Sequence, residues 1–239
     1  MNQTSLNRSF TTWSLLGFAA PSIIMMVFMS LYTIVDGIFI SRFVGSNALS
    51  SLNIVYPMIS VVIAIATMFA TGGNAIVSRY LGQGQEKQAR KALTEFVVIG
   101  VLISTVFAVL VILFEDPICR FLGANDELMS DCKAYLTISM LFAPACTLQT
   151  LFQSYFVTAS RPGLGLWLTA AAGILNAVLD YVLIVPIPLG IAGAALATGF
   201  GQLLPAAVGL IFFAIPHKTL RFCRFSFRPR EIRDACING

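Results

Sequence analysis

The chain has 239 residues, of which 57% are hydrophobic and 11% are charged, with a formal net charge of +4 and a mean hydropathy of +0.85. A soluble domain carries about 25% charged residues, so the composition excludes a protein whose surface faces mainly water. The first apolar run, residues 14–40, follows a polar segment and is too long for the core of a cleavable export signal. We therefore expect lipid to cover most of the surface.

Apolar runs long enough to cross a membrane occur six times. A spanning helix needs about 20 mostly apolar residues, because the hydrocarbon core is about 30 Å thick. The predicted spans are residues 14–40, 53–77, 92–114, 134–159, 164–185 and 190–215. The alternation of polar and apolar residues that a strand barrel requires is absent from the sequence. The sequence predicts an all-α membrane protein folded as a six-transmembrane-helix bundle.

Lysine and arginine are unequally shared between the two sets of connections. Most of them lie at the chain ends and in the second and fourth connections, whereas the other set is rich in Asp and Glu. The positive-inside rule then places both termini in the cytoplasm and makes this a multi-pass protein of the inner or plasma membrane. We expect a cytoplasmic segment at 1–13, the bundle at 14–215 and a basic tail at 216–239. A basic tail directly after a membrane helix favours contact with anionic lipid over nucleic acid.

Two aspartates, Asp36 and Asp180, are the only acidic residues well inside the predicted spans. A carboxylate at the centre of a span costs about 2.5–3.5 kcal/mol, so each one needs a reason. The helical rise places both roughly 6–7 Å below the outer ends of their spans, with Asn176 and Thr198 about one turn deeper. Such oxygen ligands suit H⁺ or a small cation such as Na⁺. The alternative is a structural role, with hydrogen bonds to neighbouring helices.

Other residues in the spans carry weaker predictions. Pro21 should kink the first span, and this bend could respond to the charge of Asp36 or be static. Gln149 and Gln153 share one face of the fourth span, where they could line a substrate path or make hydrogen bonds between helices. Met29 could offer an adaptable contact to substrate or simply fill space.

The cysteines do not form a metal-binding pattern. The five cysteines lack CxxC spacing, and His217 is the only histidine, which excludes zinc and haem sites of the usual kinds. The only metal that we expect is a Na⁺ ion at the aspartates. Cys119 and Cys132 fall in one connection outside the cytoplasm, where they could pair or stay as thiols.

Several local motifs occur together along the chain. They are Pro21 followed by VDG at 35–37, GGN at 72–74, RYLGQG at 79–84, LNAVLD at 175–180 and GIAGAALAT at 190–198. In this combination the sequence resembles the multidrug and toxic-compound extrusion (MATE) family of efflux transporters, over essentially the whole chain.

The resemblance implies a cation or proton site in the N-terminal lobe, formed by Asp36, Asn176, Asp180, Thr198 and the carbonyl of Ala194. It also implies that the first span bends near Pro21 when this site is protonated. The implied activity is antiport by alternating access, which exchanges H⁺ or Na⁺ for amphipathic, often cationic compounds without a cofactor. The family has two six-helix bundles, so we expect a second bundle, either a missing C-terminal half or a partner chain.

Three other functions compete with drug export. A lipid-linked-precursor flippase of the same fold usually has basic residues in its cavity, and no Lys or Arg lies well inside a predicted span. An intramembrane aspartyl protease also needs two membrane aspartates, but its Gly-x-Gly-Asp signature is absent before Asp180. The chain could also be a structural or assembly protein. We expect a transporter and not an enzyme.

Overall fold

The computed structural model describes residues 20, 23–24, 27, 30–31, 34–215, 220–225 and 228–239. Regular structure in these residues is entirely helical. The helices are α1 (Ser46–Gly82), α2 (Glu86–Leu113), α3 (Glu115–Phe121), α4 (Met129–Leu141), α5 (Ala143–Thr158), α6 (Pro162–Ile184), α7 (Ile191–Ala214) and α8 (Pro229–Asn238). The predicted all-α class is confirmed.

By length and composition, the described residues contain four membrane crossings, or five if one bent pair of helices is counted as a single crossing. Helices α1, α2, α6 and α7 are each long and apolar enough to cross a membrane, and α4 with α5 forms a fifth crossing bent by 50°. Pro144 explains this bend, because proline has no N–H for the carbonyl of Met140 and its ring crowds that carbonyl. About half of the predicted first span lies outside the described residues. Its far part, 34–39, is helical and continues into a π-helical turn at Ile40–Val44. These elements agree with the predicted six-span bundle.

The buried residues form two clusters along the bundle axis. We call the end with the Ile40–Val44 turn, α3 and the α6–α7 connection the far end, and its cluster includes Ile40, Cys119 and Leu136. The opposite end, with the α1–α2 turn and the C-terminal segment, is the tail end. Its cluster is more aromatic, and it includes Phe152 and Phe213, whose rings stack 5.4 Å apart.

The segment after α7 folds back onto the tail end. The backbone N–H of Phe222 donates to the carbonyl of Phe213 (2.8 Å), and that of Cys223 donates to the Thr94 hydroxyl (3.0 Å). Helix α8 then lies directly on α1. At Gly72 the two backbones are so close that a Cβ there would lie 2.0 Å from the carbonyl oxygen of Ala235.

Candidate cation or proton site

Three helical segments bring the predicted site residues together near the far end. Asp36 lies in the helical part of the first span, Asn176 and Asp180 lie one turn apart on α6, and Thr198 lies on α7. Asp36 is 8% exposed, Asn176 2% and Asp180 0%. The Nδ2 of Asn176 donates to the Thr198 hydroxyl at 3.5 Å, at the long limit of a hydrogen bond. Helical periodicity puts Asn176 and Asp180 on one face of α6, and this face packs against α7.

The carboxyl groups of Asp36 and Asp180 are close enough to interact electrostatically. Both oxygens of Asp180, one oxygen of Asp36 and the amide oxygen of Asn176 are buried and accept no hydrogen bond from the described residues. None of the ion pairs among those residues reaches either aspartate. Two buried carboxylates without a counter-charge are very unfavourable. This arrangement can therefore hold a shared proton or a small cation.

Ala194 lies one turn before Thr198 on α7 and is completely buried. Helical carbonyls point toward the C-terminal end of the helix, so its oxygen is directed along α7 toward Thr198. This oxygen is therefore on the same stretch of helix as the hydroxyl of the candidate site. Pro21, the predicted hinge, and Met29, the predicted substrate contact, lie outside the described residues.

The two glutamines of α5 have different environments. Gln153 donates from Nε2 to the Thr169 hydroxyl at 3.0 Å, which is the interhelical hydrogen bond that its position allowed. Gln149 is buried, and its amide oxygen has no donor among the described residues. It lines a small polar cavity together with Asn176 and Thr198. Gln149 therefore adjoins the carboxyl site, and Gln153 links α5 to α6.

Glu95 was missed in the sequence because it is close to the start of the predicted third span. Glu95 on α2 is a third buried acidic residue besides Asp36 and Asp180, with 0% exposure. Its carboxylate accepts a hydrogen bond from the backbone N–H of Arg228, in the segment that folds over the tail end. No local sequence pattern predicts this burial, because the segment that covers Glu95 is more than a hundred residues away in the chain.

Cys119 and Cys132 are separate thiols, and both are buried in the far-end cluster. Burial, with a smaller contribution from Cys132, raises the pKa of the Cys119 thiol to about 11. The thiolate is the reactive form of cysteine. Cys119 is therefore unreactive near neutral pH.

Apolar helices that can cross a membrane several times, with two carboxyl groups buried among them, define the chain as a multi-pass membrane protein. The MatE family model matches residues 21–182, more than half of the chain. The chain therefore belongs to the MatE family, whose members are transporters and not enzymes.

Similar proteins agree with this assignment. The multidrug export protein MepA of Staphylococcus saprophyticus is 27% identical over 197 residues, which cover 82% of this chain and 44% of that protein. A solved MATE structure in the straight conformation has a TM-score of 0.87 at 19% identity and covers 94% of this chain and 50% of its own. A MATE structure in the bent conformation has a TM-score of 0.85 at 18% identity, with 93% and 50% covered. The chain spans about half the length of the proteins that it matches.

Proposed function

We propose that the chain is the N-terminal bundle of a secondary active antiporter that exports amphipathic, often cationic compounds in exchange for H⁺ or Na⁺. The supporting observation is the pair formed by Asp36 and Asp180, whose carboxyl groups interact and receive no counter-charge from the described residues. A stable membrane bundle tolerates such a pair when a mobile positive ion neutralises it. The similarity to a multidrug export protein supports the class of substrate.

In this proposal Asp36 and Asp180 are the primary ligands of the coupling ion. A proton would bridge the two carboxyl groups, whereas Na⁺ would also take oxygens from Asn176, Thr198 and the Ala194 carbonyl. For a neutral substrate, one ion that enters through 100 mV releases about 2.3 kcal/mol, enough for a substrate gradient of about fiftyfold. One-for-one exchange for a monovalent cation moves no net charge, so the concentration gradient of the ion supplies its energy. Release of the ion on the other side would return the two carboxylates to mutual repulsion. The chain can thus alternate between two charge states.

The substrate would bind next to this site rather than within it. Gln149 lines the small polar cavity that adjoins Asn176 and Thr198, and Gln153 follows one turn later on α5. We propose that these residues, with Met29, line the substrate path, and that a second six-helix bundle forms its opposite wall. We further propose that the first span bends near Pro21, because proline interrupts the hydrogen bonds of a helix; similar MATE structures have been solved in a straight and in a bent conformation. No cofactor is needed, because the ion gradient supplies the energy.

The first experiment tests the ion site in the purified chain reconstituted in lipid. The infrared band of protonated carboxyl groups is followed as the pH rises, with and without Na⁺. The wild-type chain should lose this band in the coupled steps expected of a carboxyl pair. Asp36→Asn and Asp180→Asn should each remove this coupled titration, whereas the exposed control Glu86→Gln should keep it. An unchanged titration in both aspartate variants would refute the ion site.

The second experiment tests transport, in a transporter that contains this chain as its first bundle. Cells that express it are loaded with a fluorescent amphipathic cation, and the rate of ion-dependent efflux is measured. Each aspartate variant should lower this rate at least a hundredfold, because loss of one charged ligand of a buried ion costs about 3–5 kcal/mol. Wild-type efflux in both variants at equal expression would contradict coupled export through this site.

A further inference from the structure

The bend in the α4–α5 crossing is centred on one aromatic residue. Phe142 is the single residue between α4, which ends at Leu141, and α5, which begins at Ala143. The two helices differ in direction by 50° at this point. Any change in the bend therefore moves the Phe142 ring.

The Phe142 ring occupies a notch in α7 at Gly199. A Cβ at position 199 would lie 2.2 Å from Cδ2 of the ring and 2.4 Å from its Cγ, so only glycine admits the ring. The ring also meets Phe200 edge-on, with 5.5 Å between the ring centroids. Gly199 directly follows Thr198, so Phe142 presses on the turn of α7 that carries the hydroxyl of the ion site.

The opposite side of this turn is in contact with α6. A Cβ at Gly201 would lie 3.3 Å from Cβ of Asn176 and 3.3 Å from the carbonyl oxygen of Ala172. The turn of α7 around Thr198 is therefore held between Phe142 on one side and the backbone of α6 on the other. The 3.5 Å contact between Asn176 and Thr198 lies beside both of these contacts.

We propose that Phe142 is a positioning residue of the ion site and links the α4–α5 bend to ion binding. This inference rests on the proposed function. A cavity of about 40 Å³ lies at the bend, and Phe142, Thr198 and Gly199 are among its lining residues. The ring has room to shift there. Withdrawal of the ring from the notch releases α7 from α6 and lengthens the contact between Thr198 and Asn176, and this weakens the ion shell.

The same pair of helices provides a matched control nearer the tail end. The ring of Phe152 on α5 fills a second notch, at Gly209 of α7, where a Cβ would lie 2.1 Å from Cδ2 of Phe152. This contact has nearly the same geometry but is ten residues from the first, or about 15 Å along the helix. It packs in the tail-end aromatic cluster, far from the carboxyl pair. A variant there disturbs packing equally without moving Thr198.

The test compares variants of both notches in the reconstituted chain. The readout is the midpoint of the carboxyl titration, which is the concentration of H⁺, or of Na⁺ at fixed pH, at which half of the sites have bound the ion. Gly199→Ala should raise this midpoint about tenfold, because the added methyl group overpacks the contact, and Phe142→Leu should raise it less. The double variant Phe142→Leu with Gly199→Ala should bind more tightly than Gly199→Ala alone, since the two residues touch. Gly209→Ala and Phe152→Leu should lower thermal stability but leave the midpoint unchanged.

Equal midpoints in the Gly199 and Gly209 variants would overturn the proposal, as would additive effects in the double variant. Phe142→Leu decides the question if Gly199→Ala does not fold, since it only shortens the side chain. The Asp36→Asn variant shows whether a negative result concerns only the positioning role of Phe142 or the proposed function as well. If Asp36→Asn abolishes the titration and the Phe142 variant does not shift it, only the positioning role is wrong.

Discussion

Both ends of the bundle bury carboxyl groups, but these groups have different partners at the two ends. At the tail end, Glu95 accepts a hydrogen bond from the backbone of Arg228, and the guanidinium of the same arginine pairs with Glu231 at 2.7 Å. At the far end, Asp36 and Asp180 have each other and no cationic partner among the described residues. The tail-end acids therefore have an arginine beside them, whereas the far-end acids have no positively charged side chain beside them among the described residues.

The tail-end charge is fixed by its surroundings. Burial alone would lower the pKa of Arg228, but the hydrogen bond and negative charge of Glu231 outweigh burial and raise it. The second guanidinium nitrogen donates to Gln88 at 2.6 Å, and the Tyr80 hydroxyl donates to Glu231 at 2.9 Å. An arginine in such a network stays charged at any physiological pH. The tail-end acids therefore hold the C-terminal segment in place.

This difference separates structural acids from candidate functional acids. A buried carboxylate with a permanent partner gains nothing from a mobile ion, whereas one without a partner must recruit H⁺ or Na⁺. Burial alone is a poorer guide, because Glu95 is as fully buried as Asp180. The presence of a protein-supplied donor or cation is the better criterion.

The largest expected effect is a difference in stability between a variant at the tail end and a variant at the far end. Glu95→Ala leaves the N–H of Arg228 without its acceptor and should cost about 1–3 kcal/mol. Asp180→Asn keeps the side-chain shape, removes an uncompensated buried charge and should leave stability unchanged or increased. Thermal unfolding of the two variants in detergent without Na⁺ checks this order, with Glu86→Ala on the surface as control. If Asp180→Asn lowered stability more than Glu95→Ala, the distinction between structural acids at the tail end and functional acids at the far end would be wrong.

A more local effect, confined to one end of the bundle, is expected from the contact between α8 and α1. Gly72→Leu places side-chain atoms where the backbone of Ala235 now lies, so α8 should detach from α1. Overpacking costs about 1–3 kcal/mol, so amide hydrogens of α8 should exchange about tenfold faster or more. Gly82→Ala is the control, because no atom lies within 4 Å of a Cβ there. Exchange in the far-end helices should stay unchanged; a general increase would mean that the whole bundle is destabilised.

The smallest effect concerns thiol reactivity at the two ends. Cys119 is fully buried and its pKa is raised to about 11, so at pH 8 only about one molecule in a thousand carries its thiolate. Cys223 at the tail end is half-buried. Maleimide labelling followed by mass spectrometry should modify Cys223 before Cys119, and the Cys119 rate should rise with pH up to about 11. Glu95→Ala should accelerate only Cys223. Rapid labelling of Cys119 at pH 8 would contradict its burial.

Hydropathy alone predicted the helical class and the positions of the membrane crossings. The bounds were less accurate, since α1 spans Ser46–Gly82 whereas the predicted span was 53–77. A hydropathy criterion finds the lipid-facing part of a helix, and the polar turns that extend beyond the membrane fall below it. Pro144 lies within the predicted fourth span, but the size of the bend, 50°, is known only from the structure.

The candidate site could be predicted in part because helical periodicity is local. Asn176 and Asp180 must share a face of any helix that contains both, and the helical rise places Thr198 at a similar depth. The meeting of the first span, α6 and α7 is a property of the tertiary structure. The role of Glu95 could not be predicted, because a glutamate near the start of a span normally reaches water.

The sequence by itself determined that the chain crosses the membrane repeatedly as helices and carries two acids at a costly depth. These properties follow from the free energy of transfer of each segment and from the fixed geometry of one helix. Only the tertiary structure decided which acids meet, which have a cation beside them and which glycine admits an aromatic ring. These outcomes depend on contacts between segments far apart in the chain, and such contacts are set by close packing.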